Sequence, residues 1–195
     1  ALDELLVKLF IESHKKPPRE IWLDLDATDD PLHGHQEGRF FHGYYKCYCY
    51  LLLYIFCGEE LLCARLRTSN QDASAGSVEE LERIVTQIRE YWPKTRIVIR
   101  GDSGFCRESI MGWCETHHVG YVFGLARNTR LVRAIGSQLW EAKKKYRRTG
   151  KPARFFRDFF YRTRKSWSCE RRVVGKAEYL PNKANPRFVV TSLSP

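Results

Sequence analysis

The chain opens with DELLVKLFIES, where Leu5, Leu6, Leu9 and Phe10 recur at helical spacing. Pro17 and Pro18 end that helix. IWLDLDAT, 21–28, reads as a strand, and DDPLHGH as a turn-rich loop in which Asp29 and Asp30 are turn residues ahead of Pro31. RFFHGYYKCYCYLLLYIF holds one or two strands, Gly58-Glu59-Glu60 makes a hairpin turn, and LLCARLRT returns as a strand. Ser77 opens a helix with a capping-box signature, since Glu80 stands three residues on. Val78, Leu81, Ile84, Val85 and Ile88 form its apolar face, and Pro93 ends it. RIVIRG is a β-branched strand, followed by a helix through Ile110, Met111 and Trp113 to about His117. VGYVFGLA is the next strand, 129–147 is helix-like and basic, RFFRDFFYRTRKSWSCERRVVGKAEY suggests strands, and PRFVVTSL is a last strand.

The order β-β-β-α-β-α-β gives an α/β domain. An antiparallel meander is followed by alternating helices and strands, which makes one mixed sheet with helices on its faces. This is the order of the ribonuclease H-like fold. The 195 residues suffice for one domain with a substantial core. The longest apolar run, Tyr48 to Cys57, is too short to cross a bilayer as a helix, and no signal peptide opens the chain. A chain that starts at Ala1 and stops just after VVTSLSP is expected to be cut from something longer.

Charge changes the picture. The net charge is +10, yet residues 127–176 carry 17 Lys and Arg against Glu141, Asp158 and Glu170. That segment is +14 and the remainder −4, an asymmetry that points to a polyanion partner, above all nucleic acid. Phe155, Phe156, Phe159, Phe160, Tyr161 and Trp167 interleave the charges, either as stacking groups or as a small core. The seven cysteines suit reduced, buried thiols in a cytosolic protein. Cys47 and Cys49 form a lone C-x-C, so structural zinc is a minority reading.

Asp24 and Asp26 sit two apart on a strand and share a face. Carboxylates on an otherwise apolar strand are costly unless a cation pairs with them, either a divalent metal or an arginine. Asp102 follows the fourth strand at its C-terminal end, 76 residues after Asp26. Singly, each aspartate reads as a cap or turn residue, and Asp102 or Ser103 could cap the next helix. Together they are a stronger signal. GDSG also marks the nucleophile of chymotrypsin-like proteases, but Phe105 stands where a glycine should, Ser103 opens a helix, and no histidine sits in a base context. A metal site from His33, His35 and His42 is conceivable, although such histidines are more often loop or DNA-contact residues.

LDLDATDDPLHGHQEGRFFHGYY, LLCARLRTSNQDASAGSVEELERI, RIVIRGDSGFCRESIMGWCE, YVFGLARN and NPRFVVTSL closely resemble bacterial insertion-sequence transposases of the DDE class, from about Trp22 to Leu193. The resemblance implies a ribonuclease H-like domain whose two Asp and one Glu hold two Mg²⁺ ions, with Mn²⁺ as substitute, for DNA cleavage and strand transfer at transposon ends. Asp26, in D-x-T, matches the first Asp and Asp102, in GDSGF, the second; Asp24 is a secondary candidate beside the metal. The family's Glu lies on a helix beyond the last strand, and Glu170 and Glu178 fall in strand or strand-edge segments. The third acidic residue is therefore expected to be missing from this chain, which alone would be inactive. The alternative is a truncated DNA-binding remnant. The layout implied is a single catalytic-type domain over 1–195, with 1–18 as a helical lead-in and about 128–186 as a basic insertion. Arg127, Arg130, Arg133, Lys143, Lys144 and Lys145 are the candidate contacts to double-stranded DNA. The resemblance also implies a bacterial cytoplasmic protein, no membrane partner, and a homodimer formed on DNA.

Overall fold

A computed structural model describes residues 2–181 and 183–195, in two compact units, 1–120 and 121–195. The first unit runs α1 (Leu2–Ser13), β1 (Glu20–Pro31), β2 (Phe40–His42), β3 (Cys47–Cys57), β4 (Glu60–Arg65), α2 (Ser77–Tyr91), β5 (Arg96–Gly101) and α3 (Glu108–Thr116). β3 lies antiparallel between β1 on one side and β4 and the short β2 on the other. β5 joins the free side of β1 in parallel. The expected meander and the parallel strand after a helix are both present, in the order of a ribonuclease H-like sheet. Ile21, Leu23 and Leu25 of β1, Leu51, Leu53 and Ile55 of β3 and Ile97, Val98 and Ile99 of β5 are buried. Leu81, Ile84, Val85 and Ile88 of α2 bury the predicted stripe. Each such side chain contributes about 1.5–3 kcal/mol on leaving water.

Four local expectations change. In α1 the buried stripe is Val7, Phe10 and Ile11, while Leu5 and Leu9 are exposed. The sequence offers two overlapping stripes that share Phe10, which packs edge-on against Trp92, 5.4 Å between ring centroids, and it is Val7 and Ile11 rather than Leu5 and Leu9 that are buried with it. α2 has no capping box: Gly76, with φ of 75°, takes the cap position and no side chain caps the helix. Ser77 is its first residue and fully buried. Asp29 and Asp30 are not in a turn. β1 continues through them, pairing Asp29 with Leu51 and Asp30 with Tyr50. Finally, α3 begins only at Glu108 with Arg107 at its cap, so neither Asp102 nor Ser103 caps it.

The second unit contains β6 (Gly120–Gly124), α4 (Thr129–Ala134), α5 (Gly136–Thr149), β7 (Ala153–Tyr161), β8 (Arg171–Leu180), β9 (Lys183–Ala184) and β10 (Arg187–Thr191). β10 pairs antiparallel with β6 and β8, and β8 with β7 and β9. The basic helical stretch is thus two helices, interrupted at buried Ile135. Gly175 of β8 is obligatory in that packing, since an added Cβ would lie 2.6 Å from Ile135 Cγ2. α5 lies on β7 and β8. Along β7, Phe156 and Phe160 are 59% and 71% exposed, and Asp158 between them accepts two hydrogen bonds from Arg172.

Candidate active site

β1 alternates. Ile21, Leu23 and Leu25 face the core, while Trp22, Asp24 and Asp26 share the other face. Its parallel register with β5 sets Asp24 beside Arg100 and Leu25 beside Gly101. The residues that follow on the two chains are Asp26 and Asp102. Adjacent strands run about 4.8 Å apart, so the register brings these two predicted aspartates to the same end of the parallel pair. Asp26 is exposed, and its Oδ2 accepts a 2.8 Å hydrogen bond from Thr28 Oγ1. Asp102 turns the chain off β5: its Oδ1 accepts from the Gly104 N–H at 2.7 Å. A Cβ at Gly104 would meet that same oxygen at 2.9 Å, so the glycine leaves room for the carboxylate to hold this position. Gly101 is needed because a Cβ would lie 3.1 Å from the ring of Phe105, which is 1% exposed and anchors the turn.

Asp24 has a different partner. Arg100 Nε donates to its Oδ1 at 2.6 Å and Nη2 to its Oδ2 at 2.7 Å. The hydrogen bonds with Asp24 hold the Arg100 guanidinium still more firmly in its charged form. The arginine alternative is therefore what this structure shows for Asp24, with both oxygens engaged.

A second loop braces the turn. Arg107 Nη2 donates to Asp72 Oδ2 at 2.8 Å, and Arg107 Nη1 to the Ser103 carbonyl at 3.3 Å. Partial burial pushes the Asp72 carboxyl up, but hydrogen bonds from Arg107 and Ser74 outweigh it and bring the pKa to about 2. Buried Arg67 holds the same loop from below, donating to the carbonyls of Ala73 and Ala75 at 3.0 and 2.6 Å. None of this bracing was anticipated. The only trace of it in the sequence is an arginine five residues before an aspartate in a small-residue loop.

Tyr45 was missed as well. Its Oη donates to the Ala27 carbonyl at 3.1 Å. Burial pushes its phenol up, with further contributions from the charges of Asp29, Asp26 and Asp102, so the hydroxyl lies within the field of three carboxylates. Asp29 itself accepts from Cys47 Sγ at 4.0 Å. Among the described residues, no three His, Cys, Asp or Glu side chains come together as a metal cluster. His33, His35 and His42 do not converge. His35 Nδ1 faces Arg39 at 2.8 Å, and His42 Nδ1 accepts from the Tyr45 N–H. Glu178 is engaged elsewhere: hydrogen bonds from Lys176 at 3.0 Å and Asn185 at 2.8 Å hold its carboxyl below the usual range.

The candidate DNA contacts all belong to the second unit. Arg127, Arg130 and Arg133 are exposed around α4, whose cap is Asn128, accepting from Leu131 N at 3.0 Å. Arg130 lies over the Tyr161 ring at 4.9 Å. On α5, Lys143, Lys144 and Lys145 are exposed, with Lys144 over Trp140 at 4.9 Å and Lys145 over Phe155 at 5.7 Å.

The family model described as transposase DDE domain group 1 matches residues 1–195. The chain belongs to that family. Comparison with curated proteins finds no match. Among solved structures, endonuclease V of Ciona intestinalis, in complex with a 24mer DNA containing an inosine followed by a ribo-adenosine, is similar over 87% of this chain and 70% of its own. The identity is 10% and the TM-score 0.35. No described helix of this transposase-family chain is long and apolar enough to cross a membrane.

Proposed function

We propose that this DDE-family chain is the catalytic portion of a DNA transposase, with Asp26 and Asp102 as its metal-holding carboxylates. The observation that carries the reading is the β1–β5 register, which ends at Leu25 and Gly101, one residue before each of the two motif-matched aspartates. The donors fit Mg²⁺ or Mn²⁺. Both are hard carboxylate oxygens, and Mg²⁺ is held by one or two carboxylates with water and phosphate in its other positions. When bound, such ions supply an activated water or 3′-hydroxyl and neutralise the leaving oxygen.

The chain's own residues set up that chemistry. Thr28 orients the Asp26 carboxylate, and the Gly104 amide orients Asp102. Arg100 neutralises Asp24. Tyr45 keeps its proton and donates a hydrogen bond to the Ala27 carbonyl, which fixes the backbone next to Asp26. Arg127, Arg130, Arg133, Lys143, Lys144 and Lys145 bind backbone phosphates of transposon-end DNA, which costs salt-dependent affinity rather than sequence preference when any one is removed.

The test is Asp26→Asn and Asp102→Asn in a version of the transposase that cleaves DNA. Each change should abolish cleavage and leave DNA binding intact; wild-type cleavage by either variant would sink the assignment. A second reading, a non-catalytic DNA-binding remnant, is favoured by the lack of a three-carboxylate cluster among the described residues. Mn²⁺ titration followed by NMR separates the two. Line broadening centred on both Asp26 and Asp102, and lost in Asp102→Asn, supports catalysis; broadening elsewhere supports the remnant.

A further inference from the structure

The β2–β3 hairpin carries an aromatic patch that neither the core nor the carboxylate pair uses. Phe40 is 41% exposed, Phe41 58%, Tyr44 83% and Tyr48 48%, all within nine residues. Single exposed rings are ordinary, but four on one short hairpin, with Phe41 and Tyr48 paired on the face of β3 opposite its buried residues, mark a contact surface. The rings are already arranged. Phe41 and Tyr48 are cross-strand neighbours, edge to face at 5.5 Å, and the Arg39 guanidinium lies over Tyr48 at 4.6 Å. Tyr44 stands edge-on to Tyr45 at 5.0 Å. The turn that presents Tyr44 is fixed by a 2.7 Å bond from the Lys46 N–H to the His42 carbonyl, with Lys46 in the left-handed region at φ of 56°. A non-glycine residue held there is a strained position that the hairpin retains.

Position decides what the patch faces. Tyr45 is next to Tyr44 in the turn, yet its hydroxyl reaches the Ala27 carbonyl, one residue from Asp26, and it feels Asp26, Asp29 and Asp102. The turn that carries Tyr44 therefore lies against the stretch of β1 that carries Asp26. The occupant must offer flat apolar faces to the rings and negative charge to Arg39 and Lys46. It must also carry a group that reaches Asp26 and Asp102. Bases stack on aromatic side chains with little regard to sequence, but a base inside a duplex has no face to offer.

We propose that the Phe40–Tyr48 hairpin stacks unpaired bases of a DNA strand whose backbone passes the Asp26–Asp102 end of the sheet. The proposal rests on the reading of that carboxylate pair as a DNA-processing site. It predicts that the chain prefers a frayed or overhanging end to a flush one.

The experiment uses this chain without divalent metal. One probe is a short duplex with a three-nucleotide single-stranded overhang carrying 2-aminopurine, and the other is the same duplex with a blunt end. Anisotropy gives affinity and base fluorescence reports stacking. The expected result is tighter binding of the overhang with quenched fluorescence. Loss of one stacking ring in Tyr44→Ala or Phe41→Ala should weaken overhang binding roughly 5- to 150-fold. Blunt-duplex affinity should be unchanged and Tyr44→Trp should restore stacking. Asp26→Asn and Asp102→Asn should keep the quenching, which separates failure of this proposal from failure of the catalytic reading. A 5-iododeoxyuridine overhang should crosslink within residues 40–48 of the wild type, a readout that needs no variant to fold. Overhang binding and quenching unchanged in the Ala variants, or crosslinks confined to other segments, would overturn the proposal. So would wild-type self-association that Tyr44→Ala abolishes, since a second copy would then occupy the patch.

Discussion

Replacing Gly104 with alanine tests whether the Asp102 carboxylate is held as described. Gly104 has no left-handed backbone requirement, so the new methyl conflicts with its surroundings only by contact. Its Cβ would stand 2.9 Å from Asp102 Oδ1, with Ala73 Cβ next at 3.4 Å. The Ala73 distance is ordinary contact, so the carboxylate must yield. Turning it away loses the 2.7 Å bond from the Gly104 amide. For an exposed bond to a charged group that costs about 1.5 kcal/mol. An off-rotamer Asp102 adds about 0.5–1.5 kcal/mol, and reduced freedom of the unfolded chain returns about 0.4–1 kcal/mol. The net is about 1–2.6 kcal/mol, or a fall in Tm of about 2–10 °C for a chain of this size. Mn²⁺ binding, followed by the line broadening described above, should fall in parallel if Asp102 is one of the two proposed ligands. The two readouts are urea or thermal unfolding and the Mn²⁺ titration. Wild-type stability together with undiminished broadening at Asp102 would refute the argument, since the methyl would then have been accommodated without moving the carboxylate.

Two further outcomes follow from the titrating groups. Asp72 has its pKa lowered to about 2, so it stabilises the fold above the unfolded carboxyl value of about 3.9. That stability is lost as pH falls from about 4 through about 2. Asp72→Asn should therefore flatten the acid limb of a pH-dependent unfolding curve in that window, and an unchanged limb would show that the Arg107 pair contributes nothing. Burial lifts the thiols of Cys63 and Cys114 to about 12, while Cys169 is exposed. At pH 8 a thiol reagent should modify Cys169 quickly and reach Cys63 and Cys114 only on unfolding. Fast modification of either buried thiol in the native protein would contradict the packing.

Much of this layout was legible in the chain because period-2 and period-3.6 patterns survive wherever one face is buried. The alternation of Ile21, Leu23 and Leu25 with Trp22, Asp24 and Asp26 needs no tertiary information, and neither does the stripe on α2. The α1 stripe differs from the expected one because two apolar stripes sharing Phe10 fit one helix, and only tertiary packing decides that Val7 and Ile11 are buried rather than Leu5 and Leu9. Gly76 displaced a capping box that the spacing supports, since a left-handed glycine before Ser77 turns that residue inward. The proposed roles of Asp26 and Asp102 rest on motif. Arg100 on Asp24, Arg107 on Asp72 and Tyr45 beside the pair depend on register and loop closure over 35 to 76 residues in the two ion pairs, which no local pattern encodes.

The open face of β7 has a bearing on how this protein behaves in concentrated solution. Phe156 and Phe160 stand exposed on a nine-residue strand without proline that pairs only with β8 among the described strands. Such a strand is a template for adding further strands from other molecules. Asp158, tied to Arg172 between the two rings, and Arg154, 3.8 Å from Glu178 at one end, interrupt the apolar row with charge. They act as gatekeepers: an incoming strand would have to bury those ions before it could reach the rings. The paired charges on this face thus serve colloidal stability, and a strand rebuilt without Asp158 and Arg154 would surrender that protection first.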